Sequence, residues 1–166
     1  DTVYANSGTD FTALIEALAS PDAAGTMPRM VIAPHESAAV AMAHGHYLVT
    51  GRAQAVMLHV NAGLANAVMG LSNAHAYDIP IIVFSGRTPL TEHDREGARG
   101  SPIQYGQEQF DQTAMVRELV KWSYELRYAE NAAALVSRAC AIAASAPAGA
   151  VYLSLPAEPL AEEAPA

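Results

Sequence analysis

The sequence predicts an α/β fold: a three-layer sandwich in which a mostly parallel sheet carries helices on both faces. Three observations lead there. Short apolar runs, partly β-branched, recur along the 166 residues, and 51% of all residues are hydrophobic, enough for the core of one domain. These runs are mostly apolar, as expected of strands buried on both faces. Helix-like stretches separate them, and strand–helix alternation is the signature of parallel pairing.

The elements follow in order. "TVYA" at 2–5 reads as the first strand and "DFTALIEALA" at 10–19 as the first helix. "MVIA" at 30–33 is the second strand, followed by a small-residue helix over 36–49. "AVMLHV" at 55–60 is the third strand and 63–77 the next helix; "IIVFSG" at 81–86 is the fourth strand. The stretch 91–116 then breaks the alternation with mixed charges, glycines and four glutamines, and reads as a surface loop or as a lid or interface element. A helix over 129–145 and a strand "AVYLSL" at 150–155 close the pattern. In such sheets ligands meet the loops at the carboxyl ends of the strands. Here those loops are "NSGT" (6–9), "PHES" (34–37), "NAGLAN" (61–66) and "GRTP" (86–89).

Composition narrows the function. Nine Lys and Arg against 17 Asp and Glu give a formal charge of −8, so a nucleic acid would be repelled. No stretch reaches the roughly 18–20 apolar residues of a membrane span. The one cysteine, Cys140, allows no intrachain disulfide and sits in an alanine-rich helical stretch that suggests core filling. That pattern suits the cytoplasm. The start "DTVYANSG" has almost no lead-in to its strand, and the acidic, proline-containing end reads as a linker over 158–166; both are expected of a piece of something longer.

Several common motifs are missing. There is no GxxxxGK[ST], no GxGxxG after the first strand and no GxSxG, so the usual nucleotide sites and the serine-hydrolase elbow are unsupported. The six histidines (35, 44, 46, 59, 75 and 93) form no HExxH and have no spacing that predicts a metal site. Glu36 stands out instead. It lies where an apolar run gives way to a helix of alanine, valine and methionine. A carboxylate there either gains from the helix dipole, typically 0.3–1 kcal/mol, or is desolvated enough to hold a proton and donate it to a ring nitrogen.

The run "PHESAAVAMAHGHYLVTGRAQAVMLHVNAGLANAVMGLSNAHAYDIPIIVFSGRTP" closely resembles the N-terminal, pyrimidine-binding domain of thiamine-diphosphate-dependent enzymes, the group that includes acetolactate synthase, benzoylformate decarboxylase and pyruvate oxidase. The resemblance extends over nearly the whole chain, through the HE pair, the TG before the third strand, a G-x-x-N turn and the closing "APAGAVYLSLP". It implies a pyrimidine-binding domain over 1–157, with cofactor contacts from Gly8, Glu36 and Asn66. Glu36 would hydrogen-bond the pyrimidine N1′ and favour its imino tautomer, and the enzyme would decarboxylate or ligate 2-oxo acids.

"MLHVNAGLANAVMGLSNA" and "LVKWSYE" resemble the benzoylformate decarboxylase branch, which would make His59 catalytic and place Thr9 against the substrate. "QYGQEQFDQ" resembles the acetolactate synthase branch and would place Gln107 beside the substrate channel. The resemblance also implies Mg²⁺ and the cofactor diphosphate on a second domain, of the same or a partner chain, because no GDG-and-asparagine motif occurs here. A homo-oligomer is implied as well, with the helix over 63–77 as a close-packing interface or an ordinary sheet-packing helix. A non-catalytic assembly or regulatory domain of the same fold is the alternative, and a flavodoxin-like binding domain stands further off.

Overall fold

The computed structural model describes residues 1–20 and 25–163. Six parallel strands, β1 (Thr2–Asn6), β2 (Arg29–Ile32), β3 (Gln54–Leu58), β4 (Ile81–Arg87), β5 (Trp122–Glu125) and β6 (Val151–Pro156), form one sheet in the order β2-β1-β3-β4-β6-β5. The helices are α1 (Thr12–Ala19), α2 (Glu36–Thr50), α3 (Val60–Ala76), α4 (Ile103–Gly106), α5 (Ala132–Ala144) and α6 (Ala157–Ala161). Successive strand residues point to opposite faces, and the core divides accordingly. Val56, Leu58, Val83 and Tyr152 pack with Val40 of α2 and Leu64 and Leu71 of α3. Met57, Ile82 and Leu153 face the other way, onto Phe11 and onto Leu135 and Ala139 of α5. The three layers are those expected.

β1 lies between β2 and β3, with Ala5 opposite Ile32 and Asn6 opposite Leu58. The chain therefore winds outward to β2 and then back across β1 to β3. This reversal opens a crevice beyond the carboxyl ends of β1 and β3, the place where sheets of this type bind ligands. Gly8 and His59 lie just beyond the ends of these two strands.

Some boundaries differ from expectation. β3 ends at Leu58 and α3 starts at Val60, so His59 and Val60 leave the strand and "NAG" belongs to the first turn of the helix. β5 had no sequence signal of its own: it is an edge strand of four residues, half of it polar, paired with β6 alone. The excursion is solvated over most of 92–110, α4 included, and only its end joins the body, where Gln112 and Val116 are buried. Cys140 is exposed and fills no core. Gly70 of α3 lets that helix approach α2, because a Cβ there would lie 2.9 Å from Val40 Cβ; part of the small-residue character of 63–77 thus serves packing within the chain. Among the described residues no helix is long and apolar enough to cross a membrane, and no group of three His, Cys, Asp or Glu could hold a metal.

Residues 158–161, expected to open a linker, are helical. Glu158 and Pro159 of α6 are buried, while 164–166 lie outside the described residues. Glu158 Oε1 accepts from Thr91 N (2.7 Å) and Thr91 Oγ1 (2.8 Å), which pins the excursion to the end of the sheet. Burial alone would raise this carboxyl, but the bonds from Thr91 outweigh it and hold its pKa below the ordinary value. A lowered folded-state pKa gives stability that is present above the unfolded value and lost as pH falls through the folded one. In urea unfolding of the 166-residue chain, the loss of stability below about pH 4.5 is therefore expected to be shallower in Glu158→Gln than in the wild type. Equal acid slopes would remove Glu158 from the pH dependence.

Candidate active site

The first two turns of α3 organise the crevice. His59 is the residue before the helix, and its backbone O accepts from Gly63 N at 2.6 Å. Gly63 faces Glu36: a Cβ there would lie 3.4 Å from Glu36 Oε1 and 3.3 Å from the carbonyl carbon of Leu58. One turn on, Asn66 Nδ2 donates to Glu36 Oε2 at 3.1 Å. Glu36 is the first residue of α2 and is buried, with its side chain 11% exposed. The cap of that helix is His35, whose Nδ1 accepts from Ser37 N at 3.2 Å. Capping is thus done by a neighbour, and the Glu36 carboxylate is turned toward α3.

A second group of residues lines a cleft of about 910 Å³ that includes Thr9, Asp10, His59, Arg87 and Gln107. His59 Nδ1 lies 2.8 Å from Asp10 Oδ1, and His59 Nε2 lies 3.4 Å from Gln107 Nε2. Gly8 packs on the His59 ring so closely that a Cβ would lie 2.5 Å from Nδ1. Gly8, Thr9, His59 and Gln107 therefore come together, while Glu36 and Asn66 form a separate pair joined to them through the start of α3.

Asp10, Ser85, Arg87 and Gln112 were not singled out from the sequence. Asp10 is a buried carboxylate that also accepts from Gly8 N (3.1 Å) and Val60 N (3.0 Å). Val60 has φ of 33°, a conformation that β-branched residues rarely adopt and that costs on the order of 1–3 kcal/mol. It is held from two sides, by Asp10 and by Ser85 Oγ, which donates to Val60 O at 2.8 Å. Ser85 in turn accepts from Gln112 Nε2 (3.0 Å), beside the Tyr152 hydroxyl, whose pKa burial pushes up. Arg87 binds Glu125 and, at 3.5 Å, Glu108; Arg99 binds Glu108 from the other side. Burial would lower the Arg87 guanidinium, but the bond and charge of Glu125, joined by Glu108, outweigh it and raise it above the ordinary value. This cluster ties the segment that carries Gln107 to the ends of β4 and β5. Only the "DF" after the first loop, placed where a strand-end loop turns into a helix, hinted at Asp10.

Comparison with known proteins places this geometry. The family described as thiamine pyrophosphate enzyme, N-terminal TPP binding domain, matches residues 1–115. The chain belongs to that family. This thiamine-pyrophosphate domain is 33% identical over 138 residues to benzoylformate decarboxylase of Pseudomonas aeruginosa, covering 83% of the chain and 25% of that enzyme. It is 30% identical over 128 residues to the large subunit of acetolactate synthase isozyme 3 of Escherichia coli, covering 76% of the chain and 20% of the relative. Among solved structures, the thiamine-diphosphate-dependent 4-hydroxybenzoylformate decarboxylase of Rhodococcus jostii superposes with a TM-score of 0.81 at 30% identity, covering 99% of the chain and 29% of that enzyme. The domain thus spans about a quarter of the length of the benzoylformate decarboxylase it matches.

The residues present fit the pyrimidine end of thiamine diphosphate. Glu36 is a buried carboxylate fixed by an amide, and Gly63 sets no side chain against its Oε1. A heterocycle with a hydrogen-bonding ring nitrogen is the kind of group that such a carboxyl can hold.

Proposed function

We propose that the protein carrying this domain is a thiamine-diphosphate-dependent decarboxylase or carboligase of 2-oxo acids, and that this chain supplies the pyrimidine side of its site. The observation that carries the reading is the Glu36–Asn66 pair opposite Gly63. In this reading Glu36, Asn66 and Gly8 hold the cofactor, and Glu36 exchanges a proton with its pyrimidine ring. The bound cofactor supplies a carbon nucleophile for the 2-oxo group. His59 holds or moves a proton at Nε2 beside the substrate, Thr9 contacts the substrate, and Gln107 orients it from the excursion.

Decarboxylation is favoured by His59, the residue that resembles the benzoylformate decarboxylase branch. Carboligation keeps support from Gln107, the residue that resembles the acetolactate synthase branch. The two meet at 3.4 Å in one cleft, so a single site can hold both, and the fate of the reacting carbon then depends on whether a proton or a second carbonyl reaches it. Mg²⁺ and the diphosphate belong in this reading to a further domain, of the same or a partner chain, in a cytoplasmic homo-oligomer.

The test is turnover by the full-length protein, with thiamine diphosphate and Mg²⁺, of a panel of aliphatic and aromatic 2-oxo acids. CO2 release with an aldehyde product marks decarboxylation, and a 2-hydroxyketone product marks ligation. No turnover of any member, together with no cofactor binding, would leave an assembly domain of the same fold.

A further inference from the structure

We propose that Asp10 is the positioning residue for His59: its carboxylate fixes the imidazole with the proton on Nδ1 and presents Nε2 to the cleft as the acceptor. The proposal rests on the reading of His59 as an active-site histidine. An ionised carboxylate only accepts hydrogen bonds, so at 2.8 Å from Asp10 Oδ1 the ring nitrogen Nδ1 must be the donor. A neutral imidazole has a single N–H, which leaves the lone pair on Nε2. Gln107 Nε2, 3.4 Å away, is an amide donor matched to that lone pair. A proton arriving at Nε2 forms an imidazolium whose charge lies beside the Asp10 carboxylate.

The same carboxylate also sets where the ring stands. Its Oδ2 accepts from Val60 N at 3.0 Å, and Val60, at φ 33°, is the residue directly after His59. One buried side chain therefore fixes both the backbone that carries the imidazole and the tautomer of the ring. Two glycines leave the space for this arrangement: a Cβ on Gly8 would strike the His59 ring, and one on Gly86 would lie 1.7 Å from Asp10 Oδ2. Among the described residues the side chains bonded to the ring are Asp10 and Gln107. The other charged groups that line the cleft, Glu16 from α1, Arg87 from β4 and Glu96 from the excursion, make no such bond.

A double-mutant cycle in the full-length holoenzyme tests the proposal. Asp10→Asn is expected to lower kcat about 10- to 100-fold, the range found when the partner that orients a metal-binding histidine is removed, with little change in the apparent affinity for thiamine diphosphate. In an enzyme that already carries His59→Ala, the same change is expected to cost less than about twofold, because its route of action is gone. Equal losses in both backgrounds would overturn the proposal and make Asp10 a structural residue. A measurement on the wild type needs neither a folded variant nor turnover. Iodoacetate alkylation of the cofactor-free full-length protein, with the His59 peptide analysed for its ring isomer, is expected to give the Nε2-carboxymethyl product. An Nδ1 product would also overturn the proposal. An inactive wild type that still yields the Nε2 isomer would discard the 2-oxo acid reading and keep the Asp10–His59 arrangement.

Discussion

Glu36→Gln in the full-length protein is expected to leave the fold intact while hydrogen–deuterium exchange at C2 of bound thiamine diphosphate slows by roughly 10²- to 10⁴-fold, the range for losing a positioned acid–base group. The replacement has nearly the same volume, and its amide oxygen can still accept from Asn66 Nδ2. The helix start is untouched, since the cap of α2 is His35 and not Glu36. What disappears is a carboxyl that can exchange a proton with a ring nitrogen. On stability the change removes only an interaction with the α2 dipole, about 0.3–1 kcal/mol, which thermal melting resolves separately. Exchange at the wild-type rate in a folded variant would reduce Glu36 to a residue that stabilises a helix terminus.

Gly86→Ala is the substitution expected to damage the fold most for the smallest change in size. The added Cβ would lie 1.7 Å from Asp10 Oδ2 and 2.5 Å from its Cγ. Asp10 cannot withdraw freely, because its carboxylate is buried and receives Gly8 N, Val60 N and His59 Nδ1. Overpacking a filled interior costs about 1–3 kcal/mol, and a buried donor stripped of its acceptor costs about 1–3 kcal/mol more. A loss of about 2–6 kcal/mol is expected in urea unfolding, with catalysis reduced beyond the unfolded fraction because His59 loses its support. Gly100→Ala is the control: a Cβ there meets nothing within 4 Å, and a change within about 0.5 kcal/mol is expected. Similar stabilities for the two variants would mean that the Asp10 pocket yields easily.

The central strands and the layers were legible because β1, β3, β4 and β6 are predominantly apolar, which is what burial on both faces demands. β5 was not: "WSYE" at a sheet edge has one partner and an exposed side, so its pattern is weak until β6 is placed beside it. At the site, Glu36 and Asn66 were legible because they belong to an ordered set of short motifs with fixed spacing. Asp10 was not, because its three donors come from residues 8, 59 and 60, and only the return of the chain from β2 to β3 brings the last two to it. The expected end of β3 at residue 60 failed for a related reason. The string "AVMLHV" is apolar enough for a strand to the end, but the bonds from Asp10 and Ser85 pull Val60 into the helix start at a backbone angle its side chain disfavours. Gln107 and His59 carried different resemblances in the sequence, and only the folded excursion puts them in contact.

The position of β6 also bears on how the chain is made. It inserts between β4 and β5, yet it is made after both of them, with residues 88–150 separating it from β4. As the polypeptide leaves the ribosome, β2, β1, β3 and β4 can assemble while one side of β4 has no strand to pair with. At about 5–20 residues per second, that unpaired side lasts roughly 3–13 s before β6 is made. An open strand side is a template for another chain. For those seconds the nascent domain therefore offers neighbouring polysomal chains a strand side that the finished sheet covers.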